Sequence, residues 1–509
     1  MLSYILSGLS TVLNPLTLLQ MFFGSAVGIV FGAVPGLSVV MALVLLLPFT
    51  YTMAPGVGIA FLISVYIGAT SGGLISAILL NIPGTPNSVA TTFDGVPMRN
   101  QGKAYKALGL GIVFSCIGTI FSCIALMLIS PLLAKIAIKF GPHEYFSVAL
   151  FSIILVSSMA GRDLGKAFFA AFLGIAFSTI GLSPVDAVKR FTFGSPELIG
   201  GFSTLPMLIG LFAIKEILET SENIKFTKKE DVKVYEVEKA KGFGFSMKEF
   251  LEQKWNFLVS AVVGVVIGII PGIGGSSSNL IAYDIIKNRS KDPDSFGKGN
   301  PAGIVASETS NNASIGGALI PLLTLGIPGD GATAVLLGAL MIHGISPGPL
   351  LFQNQGDLVY TIFMAVIVGS IIMLILEFLG LKLFVKILKV PPYILLPTVL
   401  MFTTVGAYAL SNRMFDVFAI LIFGLLGYML YKFKIPTPPF IIGFILGGML
   451  EENLRRGLIL SNDSFNEFVT KPISGMFLGF TLVYLVYIFI KKHKETKKQE
   501  EWVKEQYEN

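Results

Sequence analysis

Charge is scarce in this chain. Asp, Glu, Lys and Arg make up 13% of its 509 residues, against roughly a quarter in an ordinary soluble domain. Hydrophobic residues supply 53%, and mean hydropathy is +0.77. A water-soluble fold could not bury that much apolar surface, so the composition implies lipid as the solvent. Cysteine is rarer still, with two residues, Cys116 and Cys123. Seven positions apart in one apolar run, they share a helix face as packing thiols, which excludes a disulfide framework and a cysteine metal site. The three histidines, His143, His343 and His493, are scattered without an HExxH or paired cysteines, so a zinc centre lacks its ligands. The opening stretch MLSYILSGLSTVLNPL has no basic n-region and no small-residue cleavage site. An interfacial amphipathic helix is expected there in place of a cleaved leader.

Long apolar runs are what the chain has in abundance. GFTLVYLVYIFI (479–490) and VYTIFMAVIVGSIIMLILEFLG (359–380) approach or exceed the roughly 17–25 residues of a spanning helix. They are continuously apolar rather than alternating, which excludes a transmembrane barrel. The formal charge of +6 would suit nucleic acid, but the lysines lie in loops and tails between apolar runs, where cytoplasmic bias places them. No nucleic-acid partner is expected.

The chain repeats itself. GIVFGAVPGL (28–37) matches GVVIGIIPGI (264–273), and GGLISAILLNIPGTP (72–86) matches GGALIPLLTLGIPGD (316–330) around a shared Ile-Pro-Gly. LLAKIAIKFGP (132–142) resembles LFVKILKVPP (383–392), and PMLIGLFAIKEILE (206–219) resembles PFIIGFILGGMLEE (439–452), in the same order. Between the halves, 219–254 holds eight lysines and eight acidic residues, the composition of a solvated linker. This divides the chain into an N-terminal transmembrane repeat (1–218), a charged cytoplasmic linker (219–254), a C-terminal repeat (255–457), an extra transmembrane helix (458–490) and a basic cytoplasmic tail (491–509). Basic residues in matched loops change sides. Loop 51–58 has none whereas 287–298 has Lys287, Arg289, Lys291 and Lys298; loop 99–106 has Arg99, Lys103 and Lys106 whereas 350–357 has none. By the positive-inside rule the repeats are expected to be inverted. The loops around Arg162 and Arg413, and around Lys189 and Lys432, are basic in both halves and do not discriminate.

Inverted repeats with Pro-Gly breaks in apolar segments point to a binding site near the membrane midplane. A break frees backbone N–H groups whose positive dipole end suits an anion, and carbonyls that suit a cation. A single Pro-Gly pair would as readily be a kink, but four occur at matched positions beside polar residues. The candidate substrate-binding residues are Gly36, Ser38, Asn81, Gly84, Thr85, Asn87 and Ser88 in the first half. In the second they are Gly272, Gly274, Gly275, Ser276, Asn311, Asn312, Gly329, Gly331 and Thr333. Uncharged donors of this kind can hold a carboxylate without a fixed counter-ion, although some serve only as helix caps. Intramembrane acids are expensive and functional by default, which makes Asp94, Glu308 and Asp330 candidate cation ligands. Glu377, away from any break, is expected near a membrane surface. The glycines near Gly272 are not followed by GK[ST] and make no P-loop. An intramembrane aspartyl protease, suggested by Tyr283-Asp284 and Gly329-Asp330, is disfavoured because Ile327 stands where its Gly-x-Gly-Asp motif needs glycine.

These residues resemble the large membrane subunit of the tripartite tricarboxylate transporters, the TctA family. The motifs that carry the resemblance are PGL at 35–37, NIPGTPNSVATTFDGVPM at 81–98, RFTFG at 190–194, ETSNNA at 308–313, LGIPGD at 325–330 and GISPGPL at 344–350. It covers about residues 24–457 and departs from the family's Pro-Glu at Ser307. The resemblance implies an all-α polytopic inner-membrane permease with broken or re-entrant helices. It implies a periplasmic or extracellular solute-binding protein and a small membrane subunit as partners, and import of citrate-like organic acids on a sodium or proton gradient. No catalytic residue, structural metal or cofactor is expected. A homodimer and an elevator-like movement complete the expectations.

Overall fold

The computed structural model describes residues 2–159, 163–223, 242–272, 274–387, 397, 400–401, 404–405, 408 and 413–507. Within them the chain is helical almost throughout, the exception being a small hairpin that pairs Gly181 with Arg190 and Leu182 with Lys189. Among the described residues five helices are long and apolar enough to cross a membrane: Pro15–Ala33, Pro55–Leu80, Ala104–Ala137, Gly356–Leu381 and Met414–Lys432. A further long helix, Pro301–Leu325, is less apolar because it carries Ser307, Glu308, Thr309, Ser310, Asn311 and Asn312, yet it is buried along nearly its whole length. Irregular or polar backbone survives at membrane depth only when protein or a water-filled cavity surrounds it, and here protein does. The protein is an all-α membrane protein.

The chain forms two compact units, Met1–Ile138 with Ser203–Phe433, and Lys139–Phe202 with Lys434–Asn509. All four sequence breaks lie in the first unit, and each falls between helices. Helix Pro15–Ala33 stops at Val34, Gly36 turns the chain at φ +89, and Ser38 caps helix Val39–Leu46 by accepting the Met41 N–H at 3.1 Å. Helix Lys254–Ile269 stops before Gly272, at φ +82, and helix Gly274–Arg289 follows. Helix Pro55–Leu80 ends on Asn81 at φ 60, and Pro301–Leu325 ends on Gly326 at φ 71. Both are left-handed caps, filled by the residue types that tolerate positive φ. The matched positions after each Ile-Pro-Gly also behave alike. Ser88 accepts the Thr85 N–H at 3.4 Å and donates to its carbonyl at 3.0 Å. Thr333 does the same to Asp330, at 2.8 and 3.0 Å.

The helix before each pair of breaks packs closely on its partner. A Cβ at Gly28 or Gly32 would run into the carbonyls of Val65 or Ala69, and one at Gly264 or Gly268 into those of Ser310 or Ser314. Small residues set such close approach in membranes, where contact packing replaces the hydrophobic effect as the cohesive force. The same unit packs Thr204–Ile209 and its continuation Gly210–Ile214 on Met414–Lys432, with Gly210 against the Ile420 carbonyl. Glu222 pairs with Lys432 where these helices end. Helix Leu2–Val12 lies on Gly356–Ile387, with Tyr4 stacked on Tyr360 at 5.7 Å between ring centres.

In the second unit, Leu164–Ser178 packs on Thr437–Leu460 through Gly174 and Gly443, and the helix Pro472–Tyr507 packs on Pro142–Met159, where Ser147 and Ser474 bond at 2.7 Å. Arg190 pairs with Glu451, and Arg455 reaches Asp186 and Ser183, each at 2.8 Å, which ties the hairpin to a helix end. Of the linker, 224–241 lies outside the described residues, as do Arg162 and 388–392 of the repeat echo. The linker's far end is described as helix Met247–Glu252, whose Glu249 caps Ser246 and pairs with Lys106. The Lys106 ammonium, helped by the Ser246 amide, holds the Glu249 carboxyl down at about 2.

Candidate functional site

The four breaks meet inside the first unit. The Gly272 N–H donates to the Gly329 carbonyl at 2.7 Å and joins the two breaks of the second half. Gly84, in the first half, lies against the Gly32 carbonyl as Gly329 lies against that of Gly268. The halves then meet each other. Asn87, after the first Ile-Pro-Gly, accepts on its carbonyl from Asn279 Nδ2, and its own side chain faces Gly275. A Cβ at Gly275 would stand 2.6 Å from Asn311 Oδ1, 2.9 Å from Asn87 Nδ2 and 3.0 Å from Ser314 Oγ, so its absence keeps three polar atoms open to one another. Gly331, opening helix Gly331–Ile342, faces Val40 just beyond the first break.

Most of the sequence candidates are therefore neighbours. Thr85 and Ser88 face Gly73 with their hydroxyls, and Thr85 Oγ1 is buried without a hydrogen-bond partner. Gly274 faces Asp330, and Ser276 is half-buried one residue beyond Gly275. Two candidates stand apart. Gly36 is exposed, with nothing close to the space a side chain would fill, and Asn81 is an exposed helix end. Ser38 is engaged as a cap.

The carboxylates divide by what they bond. Asp94 Oδ1 accepts from the N–H groups of Gly297, Gly299 and Asn300 at 2.9, 2.8 and 2.7 Å, and Oδ2 accepts from the Tyr283 hydroxyl at 2.9 Å. Asp330 Oδ1 accepts from the Thr333 N–H at 2.8 Å and hydroxyl at 2.7 Å, and Oδ2 from the Tyr66 hydroxyl at 2.7 Å. Each is thus committed to structure that crosses between the halves. Glu308 is fully buried, accepting from Thr91 on one oxygen and from Ser115 at 3.1 Å on the other, while Asn312 Nδ2 also donates to Ser115 Oγ at 2.8 Å. Glu377 is buried within the protein. It accepts from Ser71 at 3.1 Å, and its other oxygen has no partner. Asp284 is exposed, whereas Asp330 is engaged by Thr333 and Tyr66. No group of three or more His, Cys, Asp or Glu suited to a metal occurs among the described residues.

Sequence reasoning passed over Tyr66, Thr70, Ser71 and Ser115. Tyr66 and Thr70 recur at helical spacing along one apolar segment, which marks one polar face, whereas Ser71, next to Thr70, is turned about 100° away. Ser115 had no such signal, because its importance depends on which helix packs beside it.

A buried, polar meeting of broken helices inside an all-α membrane protein is the architecture of a solute-handling permease. The model of the tripartite tricarboxylate transporter TctA family matches residues 18–442. The chain belongs to that family. An Agrobacterium vitis protein described as an uncharacterized 52.8 kDa protein in the TAR-I ttuC' 3'region is 33% identical over 483 residues, 94% of each chain. An uncharacterized protein in the TAR-II ttuC' 3'region of the same organism is 38% identical over 223 residues, 44% of this chain and 92% of its own. No solved structure matches.

Proposed function

We propose that the chain is the permease of a tripartite, binding-protein-dependent secondary transporter that imports tricarboxylates or related organic acids on a sodium or proton gradient. The observation that carries this reading is the convergence of the segments flanking the four helix breaks on one largely buried polar region. Membership of a tripartite family brings with it a periplasmic binding protein and a small membrane subunit. The substrate carboxylates would meet N–H groups at the starts of helices Gly274–Arg289 and Gly331–Ile342, together with Thr85, Asn87 and Ser88.

We read the halves as inverted repeats. Loop charges change sides between them, and helix pairing supports the exchange. Segment 206–219 echoes 439–452, yet the first pairs with Met414–Lys432 in one unit and the second with Leu164–Ser178 in the other. Each pair takes one helix from each half, as interlocked repeats would. With the linker and C-terminus cytoplasmic, alternating access by an elevator-like shift would carry the site across; a homodimer is the assembly we expect.

The test is uptake by proteoliposomes holding this chain and its small subunit, with the binding protein outside preloaded with labelled citrate or whichever acid it binds. Accumulation above equilibrium under an imposed sodium or proton gradient is expected. Equilibration that ignores the gradient would make the protein a passive channel instead.

A further inference from the structure

Two tyrosines reach aspartates of the opposite half of the chain, one in each direction. Tyr66, on Pro55–Leu80, donates to Asp330 Oδ2 at 2.7 Å, and Tyr283, on Gly274–Arg289, donates to Asp94 Oδ2 at 2.9 Å. The two aspartates are not equivalent. Asp94 keeps three backbone N–H donors on its other oxygen whatever Tyr283 does. Asp330 spends Oδ1 on the N–H and hydroxyl of Thr333, which caps helix Gly331–Ile342. Its Oδ2 has no donor but Tyr66 among the described residues.

The neighbours of Oδ2 set what else it can reach. The Cβ that Gly274 lacks would stand 3.2 Å from Asp330 Cβ and 3.9 Å from Oδ2, so this oxygen borders the start of helix Gly274–Arg289. A helix start carries free N–H groups and the positive end of the dipole, and it attracts a carboxylate from any source. This same helix start is one of the two assigned above to the substrate. At the matched position of the first half Thr85 carries no charge, so competition comes from the second half alone. We propose that Tyr66 is a positioning residue for substrate binding: by holding Asp330 Oδ2 it keeps that carboxylate turned from the start of helix Gly274–Arg289, which is left open to an anionic substrate. The inference deepens the transport reading and rests on it only for the substrate's being an anion. What Tyr66 controls is the Asp330 charge, so removing the charge should make the hydroxyl irrelevant.

The experiment reads that charge without any substrate. A single thiol at Ser276, half-buried near the start of the helix, is placed in the full-length protein with Cys116 and Cys123 replaced by Ala. Its rates of modification by an anionic and a cationic methanethiosulfonate of similar size are measured, and their ratio is taken. Tyr66→Phe should lower the anionic-to-cationic ratio by about fivefold, the order expected when one charge moves a few ångström closer at intermediate dielectric. With Asp330→Asn already present, Tyr66→Phe should leave the ratio unchanged. Tyr283→Phe alone should leave it unchanged too, because Asp94 keeps its three amides. A merely structural role for Tyr66 would alter both rates alike. An unchanged ratio in Tyr66→Phe, a fall that persists with Asp330→Asn, or a thiol that neither reagent reaches overturns the inference. If Ser276→Cys does not fold, Ser277→Cys, half-buried at the next position, is read in the same way. The predicted ratios without gradient-driven uptake would reject the transporter and keep Tyr66 as the guard of an anion seat, whereas uptake with an unchanged ratio would do the reverse.

Discussion

Asp94 shows how a single carboxylate can look functional and be structural at once. Itself fully buried, it satisfies three partly exposed backbone N–H groups of residues 297–300 and the hydroxyl of buried Tyr283. Asp94→Ala would remove the acceptor from these donors, and we expect a loss of about 1–3 kcal/mol, most of it from the buried Tyr283 hydroxyl and the half-buried N–H groups of Gly299 and Asn300. Asp94→Asn keeps one acceptor and should lose less, and Tyr283→Phe, which removes one donor, less again. Thermal unfolding of the purified variants checks the order; an Asp94→Ala protein as stable as the wild type would refute it. Asp94, Asp330 and Glu308 were legible in the sequence as acids that the membrane would not tolerate idly. Their partners were not, because Tyr66, Tyr283 and Ser115 are brought to them by contacts between segments roughly 190–260 residues apart, and hydropathy contains no term for such pairing. Glu377's partner was hidden for the same reason, since Ser71 lies 306 residues away in the sequence.

Helices and their breaks were the most legible elements. Pro-Gly pairs, Ile-Pro-Gly pairs and the Gly-x-x-x-Gly spacings of 28–32 and 264–268 all fall where the helices end or touch, since backbone chemistry acts locally. The left-handed caps Asn81 and Gly326 show how far the correspondence goes, with different residues serving the same φ. Glycine at the contacts makes a matched prediction. Gly28→Leu and Gly264→Leu should each destabilise by about 1–3 kcal/mol through overpacking against a neighbouring carbonyl. Gly448→Ala, with nothing within 4 Å of the new methyl, should be neutral or mildly stabilising. Melting curves of the three variants decide it, and equal effects at all three positions would contradict the close-packing account.

For the whole molecule, sequence order and spatial grouping part company. The expected division at the linker follows the repeats, whereas the compact units interleave, each drawing helices from both halves. Self-similarity reveals what is duplicated and says nothing about which copy packs on which. The central claim is that the converging breaks form a site reached in turn from each side of the membrane. It is tested most directly by placing a single thiol at Ser276 in a protein with Cys116 and Cys123 replaced by Ala, then labelling with a membrane-impermeant reagent from outside or inside oriented vesicles. The account predicts labelling from both sides, with a balance that shifts when substrate-loaded binding protein and the driving ion are added. Labelling confined to one side under every condition would contradict it.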